Sequence, residues 1–251
     1  MSHVLSRDEG RVRILTLDRP EARNALDAAT RTDLIAHLHE AENDGSVGAV
    51  VLTGAGSAFA AGADLKELLA RSTEEQQRFL QPPHIYSVIE ELRKPVIAAV
   101  NGHALGAGLE LATACDVRVA AEGAKLGQPE VNLALIPGGG GTQRLVRLVG
   151  HGQASRLVLI GDPVEAAEAL RVGLVDLVVP KERCVAKAVE LAAAMARHDP
   201  TAVLEAKRML RAALDRPYAE GLALEREAFV RLHARREAKE RILAFLEKPK
   251  A

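Results

Sequence analysis

Residues 96–144 read VIAAVNGHALGAGLELATACDVRVA and then AEGAKLGQPEVNLALIPGGGGTQR. The stretch contains two glycine-rich turns, each followed by a run of helical character. It also contains two glutamates, Glu110 and Glu130, among apolar or small residues. Glycine lets a backbone approach a ligand closely, and amides at the start of a helix can hold a developing negative charge. Because paired carboxylates transfer protons, the stretch predicts an enzyme that stabilises an oxyanion and moves protons.

The composition predicts a large aliphatic core. Of the 251 residues, 48% are hydrophobic and 27% are charged, but only four are Phe, two are Tyr and none is Trp. The net charge of −1 gives no electrostatic reason to expect nucleic acid or a membrane surface as a partner. No apolar run reaches the roughly 18 residues that a membrane span requires. The N-terminus has no apolar signal segment, so we expect a cytoplasmic protein.

The cysteines and histidines do not predict a metal site. Cys115 and Cys184 lie far apart, without CxxC or Cys/His spacing, and we expect both to be reduced thiols. His103 and His151 lie beside glycines, with no Ser or Cys partner at a recognisable nucleophile turn, so structural roles are expected for both.

Short strands alternate with helices over residues 1–180, which predicts an α/β core. Strands are expected at Val4–Ser6, Val12–Asp18, Ala49–Thr53, Val96–Val100, Val117–Ala120 and Leu174–Val179. Helices are expected after a cap at Asp27 and over Leu65–Ala70, Leu109–Ala114, Thr142–Val149, His151–Ile160 and Val164–Arg171.

Residues 181–251 have a helical pattern almost to the end. Pro200 and Pro217 divide this segment into helices over 181–198, 201–214 and 218–246. The segment is too short to fold alone and should pack on the core or on a partner subunit. The predicted organisation is a core with the active site over 1–180 and a helical region for packing and oligomerisation over 181–251.

The loop AAGADLKEL, residues 60–68, leads into a predicted helix at Ala63-Asp64. The first amides of a helix lack intrahelical acceptors, so this turn could supply half of an oxyanion hole. An ordinary loop capped by Asp64 is the commoner explanation of such a pattern. Lys66 could meet a phosphate or be a solvated lysine.

Two further turns carry the acidic residues. In NGHALGAGLEL, residues 101–111, the amide of Ala107 could be a second oxyanion donor, and Glu110 lies about 4.5 Å further along the helix axis. The alternative is a surface glutamate on an amphipathic helix. In GQPEVNLALIPGGGGTQRL, residues 127–145, Glu130 precedes a run of four glycines. A tight turn with an exposed Glu130 fits that pattern equally well.

Taken together, these motifs resemble the enoyl-CoA hydratase/isomerase (crotonase) superfamily. The resemblance rests on the glycine turn followed by LE, on GQPE and IPGGGGTQRL, on RPEARNAL at 19–26 and on FAAGADLKEL at 59–68. It is closest to the hydratases because both glutamate positions are filled. It implies a spiral of repeated ββα units with a helical C-terminal region, assembled as a trimer or a dimer of trimers. The substrate would be an acyl-CoA thioester, with no metal or redox cofactor, since coenzyme A is part of the substrate.

The resemblance also implies a role for each matching position. The oxyanion-hole amides would be those of Ala63 and Ala107, the two catalytic carboxylates Glu110 and Glu130, and the amide that helps to hold water that of Gly138. The coenzyme A contacts would be Ala22, Arg23, Ala61, Asp64, Leu65 and Lys66, with Phe245 and Lys248 from the C-terminal tail.

The implied reaction is the reversible syn addition of water to a trans-2-enoyl-CoA, giving a 3-hydroxyacyl-CoA in fatty-acid or related acyl-CoA degradation. We expect Glu110 to deprotonate the water and Glu130 to protonate C2. An enoyl-CoA delta isomerase, another crotonase-type acyl-CoA enzyme and a non-catalytic or RNA-binding scaffold remain alternatives. Ala107, Asn132 and Ala134 depart from the common hydratase pattern, which bears on the acyl-chain preference more than on the chemistry.

Overall fold

The computed structural model describes residues 2–247. Its strands are β1 (Val4–Glu9), β2 (Val12–Leu17), β3 (Ala49–Gly54), β4 (Ala58–Ala60), β5 (Val96–Val100), β6 (His103–Leu105), β7 (Val117–Ala121), β8 (Lys125–Gly127), β9 (Val164–Glu165) and β10 (Leu177–Val179). Its helices are α1 (Ala28–Asn43), α2 (Leu65–Ala70), α3 (Thr73–Phe79), α4 (Ile85–Glu91), α5 (Ala107–Ala114), α6 (Gly141–Ile160), α7 (Ala166–Arg171), α8 (Cys184–Ala196), α9 (Pro200–Asp215), α10 (Tyr218–His233) and α11 (Arg236–Leu246). Short 3-10 helices cover Pro20–Ala22, Pro129–Leu133 and Lys181–Arg183.

The strands form two sheets, and successive segments of the chain add strands to one sheet and then to the other. One sheet has the order β1-β2-β3-β5-β7-β10 and is parallel except for the antiparallel pair β1–β2. The other has the order β4-β6-β8-β9 and is parallel except for β8–β9. From β3 to β8 successive strands alternate between the sheets, so each turn of the chain adds one strand to each. The predicted crotonase-like spiral is therefore confirmed.

Strand β3 shows why the larger sheet is buried on both faces. Val50 and Leu52 point into the main core, while Ala49 and Val51 point into a second apolar cluster on the opposite face. Helix α8 covers that second cluster with small side chains such as Ala188. Each fully buried Val or Leu contributes about 1.5–3 kcal/mol, which makes the continuous apolar run of β3 a stable centre.

The chain divides into two compact units, residues up to Arg197 and residues from His198. Helix α8, at the start of the helical segment that begins near residue 181, belongs to the first unit because its apolar side packs on the sheet. The second unit contains α9, α10 and α11 and begins at His198, whereas the helical C-terminal region was predicted to begin at residue 181. No helix within residues 2–247 combines the length and apolar character that crossing a bilayer demands.

Several local predictions differ from the structure, and β4 and β6 were not expected as strands. The helix expected over Val164–Arg171 begins only at Ala166, because Val164–Glu165 pairs with β8 as strand β9. The last strand is Leu177–Val179 rather than Leu174–Val179. The single helix expected over 218–246 is two helices, since Arg235 has an extended backbone and pairs with Asp199 at 2.6 Å.

Residues 19–26 fasten the loop that leads to α2. The Asn24 amide donates to the carbonyls of Ala55 and Ala58 at 2.9 and 2.8 Å, and its oxygen accepts from the Arg19 amide at 3.0 Å. The Ala61 amide then donates to the Arg23 carbonyl at 3.0 Å. The RPEARNAL motif therefore acts through its backbone and one buried amide side chain.

Replacing Asn24 by Ala should lower the free energy of unfolding by about 2–4 kcal/mol, because three hydrogen bonds of a buried side chain are lost. Its positive φ of 57° is also costly for alanine. Urea unfolding followed by circular dichroism measures the change. Asn43→Ala, at the exposed end of α1, is the control and should change the value by less than about 0.5 kcal/mol. Equal effects of the two substitutions would contradict this account of Asn24.

Candidate active site

A cavity of about 500 Å³ opens in the first unit where several distant segments meet. It lies between the loop before α2, the start of α5, the residues that follow β8, and helices α3 and α4. The predicted site residues that line it are Ala61, Ala63, Leu65, Ala107, Glu110, Glu130 and Gly138. The fold thus brings both carboxylates and both proposed oxyanion donors to one apolar cavity.

Glu110 is almost completely buried, with 2% of its surface exposed. Its Oε1 accepts hydrogen bonds from the amides of Gly139 and Gly141 at 2.7 and 2.8 Å. No residue within 2–247 donates to its Oε2. The alternative of a surface glutamate on an amphipathic helix is therefore wrong, and one carboxylate oxygen is available to a ligand in the cavity.

Gly139 has no room for a side chain. A methyl group on it would lie 2.2 Å from Cε2 of Tyr86 and 2.7 Å from Oε2 of Glu110. At Gly138 the nearest atoms to such a methyl group belong to Leu80, at 3.7 Å, which is ordinary contact. The glycine run therefore contains one residue whose missing side chain lets Tyr86 and Glu110 pack together.

Glu130 begins the 3-10 helix after β8 and is partly buried against the turn before α5. Burial raises the pKa of Glu130 to about 7, and the negative charge of Glu110 acts in the same direction. In the orientation that satisfies its neighbours, the buried Gln128 amide donates to both carboxylate oxygens at 3.0 Å. Glu130 is thus held in place, and near neutral pH a large fraction of it keeps its proton.

Gly106 permits this approach of Glu130 to the helix start. Its φ of 50° and ψ of −124° suit glycine, and a methyl group there would lie 2.9 Å from Oε1 of Glu130. The tight turn places Ala107 at the first position of α5. The glycine turn and the second carboxylate therefore depend on each other.

The amides of Ala63 and Ala107 share one property. Within residues 2–247 neither donates a hydrogen bond to another residue, although both residues line the cavity. For Ala107 the reason is its position in the first turn of a helix, where no intrahelical acceptor exists. For Ala63 the neighbouring bridge to Leu26 uses the amides of Leu26 and Asp64 instead. Two unpartnered donors thus accompany the two carboxylates.

The family model described as enoyl-CoA hydratase/isomerase matches residues 7–251. The chain belongs to the enoyl-CoA hydratase/isomerase family. It is 44% identical over 99% of its length to 2,3-dehydroadipyl-CoA hydratase of Escherichia coli, covering 97% of that protein. It is 42% identical over its full length to short-chain-enoyl-CoA hydratase of Clostridium acetobutylicum, again covering 97%. An enoyl-CoA hydratase structure from Bacillus anthracis superposes with a TM-score of 0.92 at 38% identity, over 98% of this chain and 96% of that one.

The positions expected from the family to contact coenzyme A are more dispersed. Ala61 and Leu65 line the cavity, whereas Ala22, Arg23, Asp64 and Lys66 are not among its lining residues. The Asp64 side chain accepts from the amides of Lys66 and Glu67, so the simple capping interpretation of Asp64 is correct.

The tail positions Phe245 and Lys248 belong to the second unit in sequence. Phe245 lies on α11 of the second unit with 75% of its surface exposed. Lys248 is outside the described residues. Their proposed contacts with coenzyme A stay predictions. Within residues 2–247 no three His, Cys, Asp or Glu side chains are grouped to hold a metal ion.

Sequence reasoning missed several residues of this hydratase/isomerase-family site. Tyr86 is buried, its ring packs beside Gly139, and its hydroxyl accepts from Arg31 at 3.3 Å. Burial raises the pKa of Tyr86 to about 12, so the phenol is neutral at physiological pH. In the sequence, Tyr86 and Arg31 are an isolated tyrosine and arginine on amphipathic helices. Their place in the site becomes visible only in the structure, where α1 and α4 bring the two side chains together.

Gly139→Ala should destabilise the protein by about 1–3 kcal/mol, because the added methyl group overpacks Tyr86 and Glu110. Gly138→Ala, its neighbour in the same glycine run, has space for the methyl group and should change stability by less than about 0.5 kcal/mol. Thermal and urea unfolding of both variants measure the difference. If the two variants lost equal stability, the close packing assigned to Gly139 would be wrong.

Proposed function

We propose that this chain is an enoyl-CoA hydratase, which adds water reversibly across C2=C3 of a trans-2-enoyl-CoA to give a 3-hydroxyacyl-CoA. The observation that carries the proposal is the pair Glu110 and Glu130 on one cavity with the unpartnered amides of Ala63 and Ala107. Hydration requires a base, an acid and an oxyanion site, and this cavity contains candidates for all three. Family membership at 42–44% identity to named hydratases supports the same conclusion.

The two amides would stabilise charge on the thioester. When water adds to C3, negative charge develops on the thioester oxygen, which would accept from the amides of Ala63 and Ala107. The N-terminus of α5 adds the positive end of its helix dipole at the same point. Loss of one such donor typically costs about 3–4 kcal/mol of transition-state stabilisation. Because both amides belong to fixed backbone, they need no reorganisation during the reaction.

The two carboxylates divide the proton transfers according to their surroundings. Oε1 of Glu110 is occupied by two amides, so Oε2 can orient and deprotonate the water that attacks C3. Glu130, with its pKa raised to about 7, keeps a proton that it can deliver to C2. After hydration the proton resides on Glu110, and dehydration reverses both transfers. The pair therefore works with one proton between them in either direction.

An isomerase is the nearest alternative within the family. Moving a double bond along the acyl chain needs a carboxylate that shuttles one proton and needs no water. The second carboxylate, placed on the same cavity and held by Gln128, favours hydration instead. The substrates in the relatives' names differ, one being dehydroadipyl-CoA and the other short-chain enoyl-CoA. The acyl group must therefore be inferred from residues of this chain.

We expect the protein to hydrate crotonyl-CoA, followed as loss of the conjugated-enoyl absorbance. Glu110→Gln and Glu130→Gln should each lower kcat by about 10²- to 10⁴-fold, because each removes one proton-transfer group. Glu122→Gln, on the exposed turn after β7, is the control and should leave kcat unchanged. Absence of hydration in the wild type would refute the proposal, and conversion of a 3-enoyl-CoA without water uptake would favour the isomerase.

The pH dependence should follow Glu130. Since its pKa is raised to about 7, the proton is present below that pH and lost above it. We therefore expect kcat/KM for hydration to fall about tenfold per pH unit above pH 7. The value of kcat/KM for dehydration should fall with the same midpoint, because both directions require one proton on the pair Glu110 and Glu130. Stopped-flow rates between pH 5 and about 9 measure this, and a flat profile across that interval would contradict the role of Glu130 as the acid.

The proposal includes a homotrimer or dimer of trimers located in the cytoplasm. Large apolar side chains of the second unit support an assembly, since Leu210, Phe229 and Val230 are each more than three-fifths exposed in the single chain. Exposed apolar groups of this size usually become buried in contacts between proteins.

A further inference from the structure

Two arginines line the otherwise largely apolar cavity, Arg31 on α1 and Arg71 just after α2. Arg71 is paired with Glu67 at 2.7 Å. Arg31 has no carboxylate within 4.0 Å among residues 2–247. The two guanidinium groups also contact the same ring, that of Phe79, with centroid distances of 4.9 Å for Arg31 and 3.6 Å for Arg71. Two cationic side chains therefore contact this ring, but only Arg71 has a carboxylate partner.

Arg31 is held in a fixed position at the cavity wall. Its Nη1 donates to the Tyr86 hydroxyl at 3.3 Å and its Nε to the Leu26 carbonyl at 3.4 Å, while Nη2 has no acceptor among the described residues. The group also lies 5.7 Å from the Tyr86 ring centroid. These contacts orient the guanidinium without neutralising it. Its remaining donors are available to a molecule in the cavity.

The position of Arg31 is tied to the reacting groups through Tyr86. The Tyr86 ring packs beside Gly139 and Glu110, and the hydroxyl of the same ring meets Arg31. Arg31 is thus separated from the carboxylate of Glu110 by one phenol ring. A substrate with its C3 next to Glu110 would extend its acyl group into this neighbourhood.

An unpaired, half-buried cation beside apolar side chains is costly unless an anion joins it. Phe79 and Tyr86 offset part of that cost by cation–π contact, but an aromatic face does not accept the in-plane N–H groups. Guanidinium binds a carboxylate through two parallel hydrogen bonds. The free protein therefore contains a carboxylate-binding group that no residue of its described part occupies.

We propose that the natural acyl group carries a carboxylate at its far end, and that Arg31 binds it. This inference rests on the proposed hydratase function and specifies its substrate class as ω-carboxy-2-enoyl-CoA. Arg31 would then be a specificity-determining residue, acting on the distal end of the chain while Glu110 and Glu130 act at C2 and C3. Simple alkyl enoyl-CoAs would still react, but would leave the guanidinium unpaired.

The test compares matched substrates of increasing chain length, each pair ending in a carboxylate or a methyl group. The central pair is 5-carboxypent-2-enoyl-CoA and hex-2-enoyl-CoA. We expect the wild type to prefer the carboxylate member in kcat/KM, and Arg31→Met to lower that preference about 10- to 100-fold, as for a lost charged hydrogen bond. Arg31→Lys should restore part of the preference. Arg31→Met should lower kcat/KM more for the carboxylate member than for hex-2-enoyl-CoA, since methionine keeps the apolar stem but removes the charge.

Arg71→Met is the matched control. Because Arg71 already has a carboxylate partner, its substitution should change the preference for the carboxylate substrate less. The proposal is overturned if no chain length shows a carboxylate preference in a wild type that hydrates crotonyl-CoA. It is also overturned if Arg31→Met lowers kcat/KM equally for both substrates of each pair. That result is expected if Arg31 binds a phosphate of coenzyme A or only supports Tyr86. An equal loss of preference in Arg71→Met would contradict the assignment to Arg31. Failure of the wild type with every substrate would instead refute the hydratase function itself.

Discussion

The buried carboxylate of Glu110 places the strongest constraint on this structure. A buried charged group is unstable without hydrogen bonds, and here the amides of Gly139 and Gly141 supply them. The same bonds fasten the glycine run onto α5, although the two are about thirty residues apart in the sequence. Because Gly139 must lie against Glu110, it can carry no side chain, and Tyr86 fills the adjacent space. The cavity wall thus follows from the requirement to satisfy one carboxylate.

The carboxylate of Glu130 has a raised pKa because of the structure around it. Glu130 stands on a short 3-10 helix, close enough to the α5 turn to exclude any side chain at Gly106. Burial and the nearby charge of Glu110 favour its protonated form, while a hydrogen bond from its own backbone amide favours the ionised form. These opposing influences leave it close to the midpoint of its titration at neutral pH. Two identical side chains therefore have different surroundings, which suits the proposed roles of an acid and a base.

Sequence patterns predicted the parts of this architecture that depend on local order. The limits of α2 and β5 agree with the structure, since a loop precedes one and a proline the other. The LGAGLE and GQPE motifs singled out both glutamates through the family resemblance, and both line the cavity. Strand β9 was missed, since two residues show no periodicity and it exists only by pairing with β8. Tyr86 and Arg31 were missed for a related reason, as their significance depends on packing between separate helices.

The residues proposed for chemistry and those proposed for recognition come from different kinds of structure. The amides of Ala63 and Ala107 belong to backbone fixed by turns, and the carboxylates approach from α5 and from the residues after β8. These features follow from the ββα spiral itself. Arg31, Phe79 and Arg71 belong to helical faces and a helix end that line the same cavity. None of these three side chains donates to or accepts from the two amides or the carboxylates of Glu110 and Glu130. A change of substrate at the distal end of the acyl group therefore needs new side chains only, because the spiral keeps the reacting centre in place.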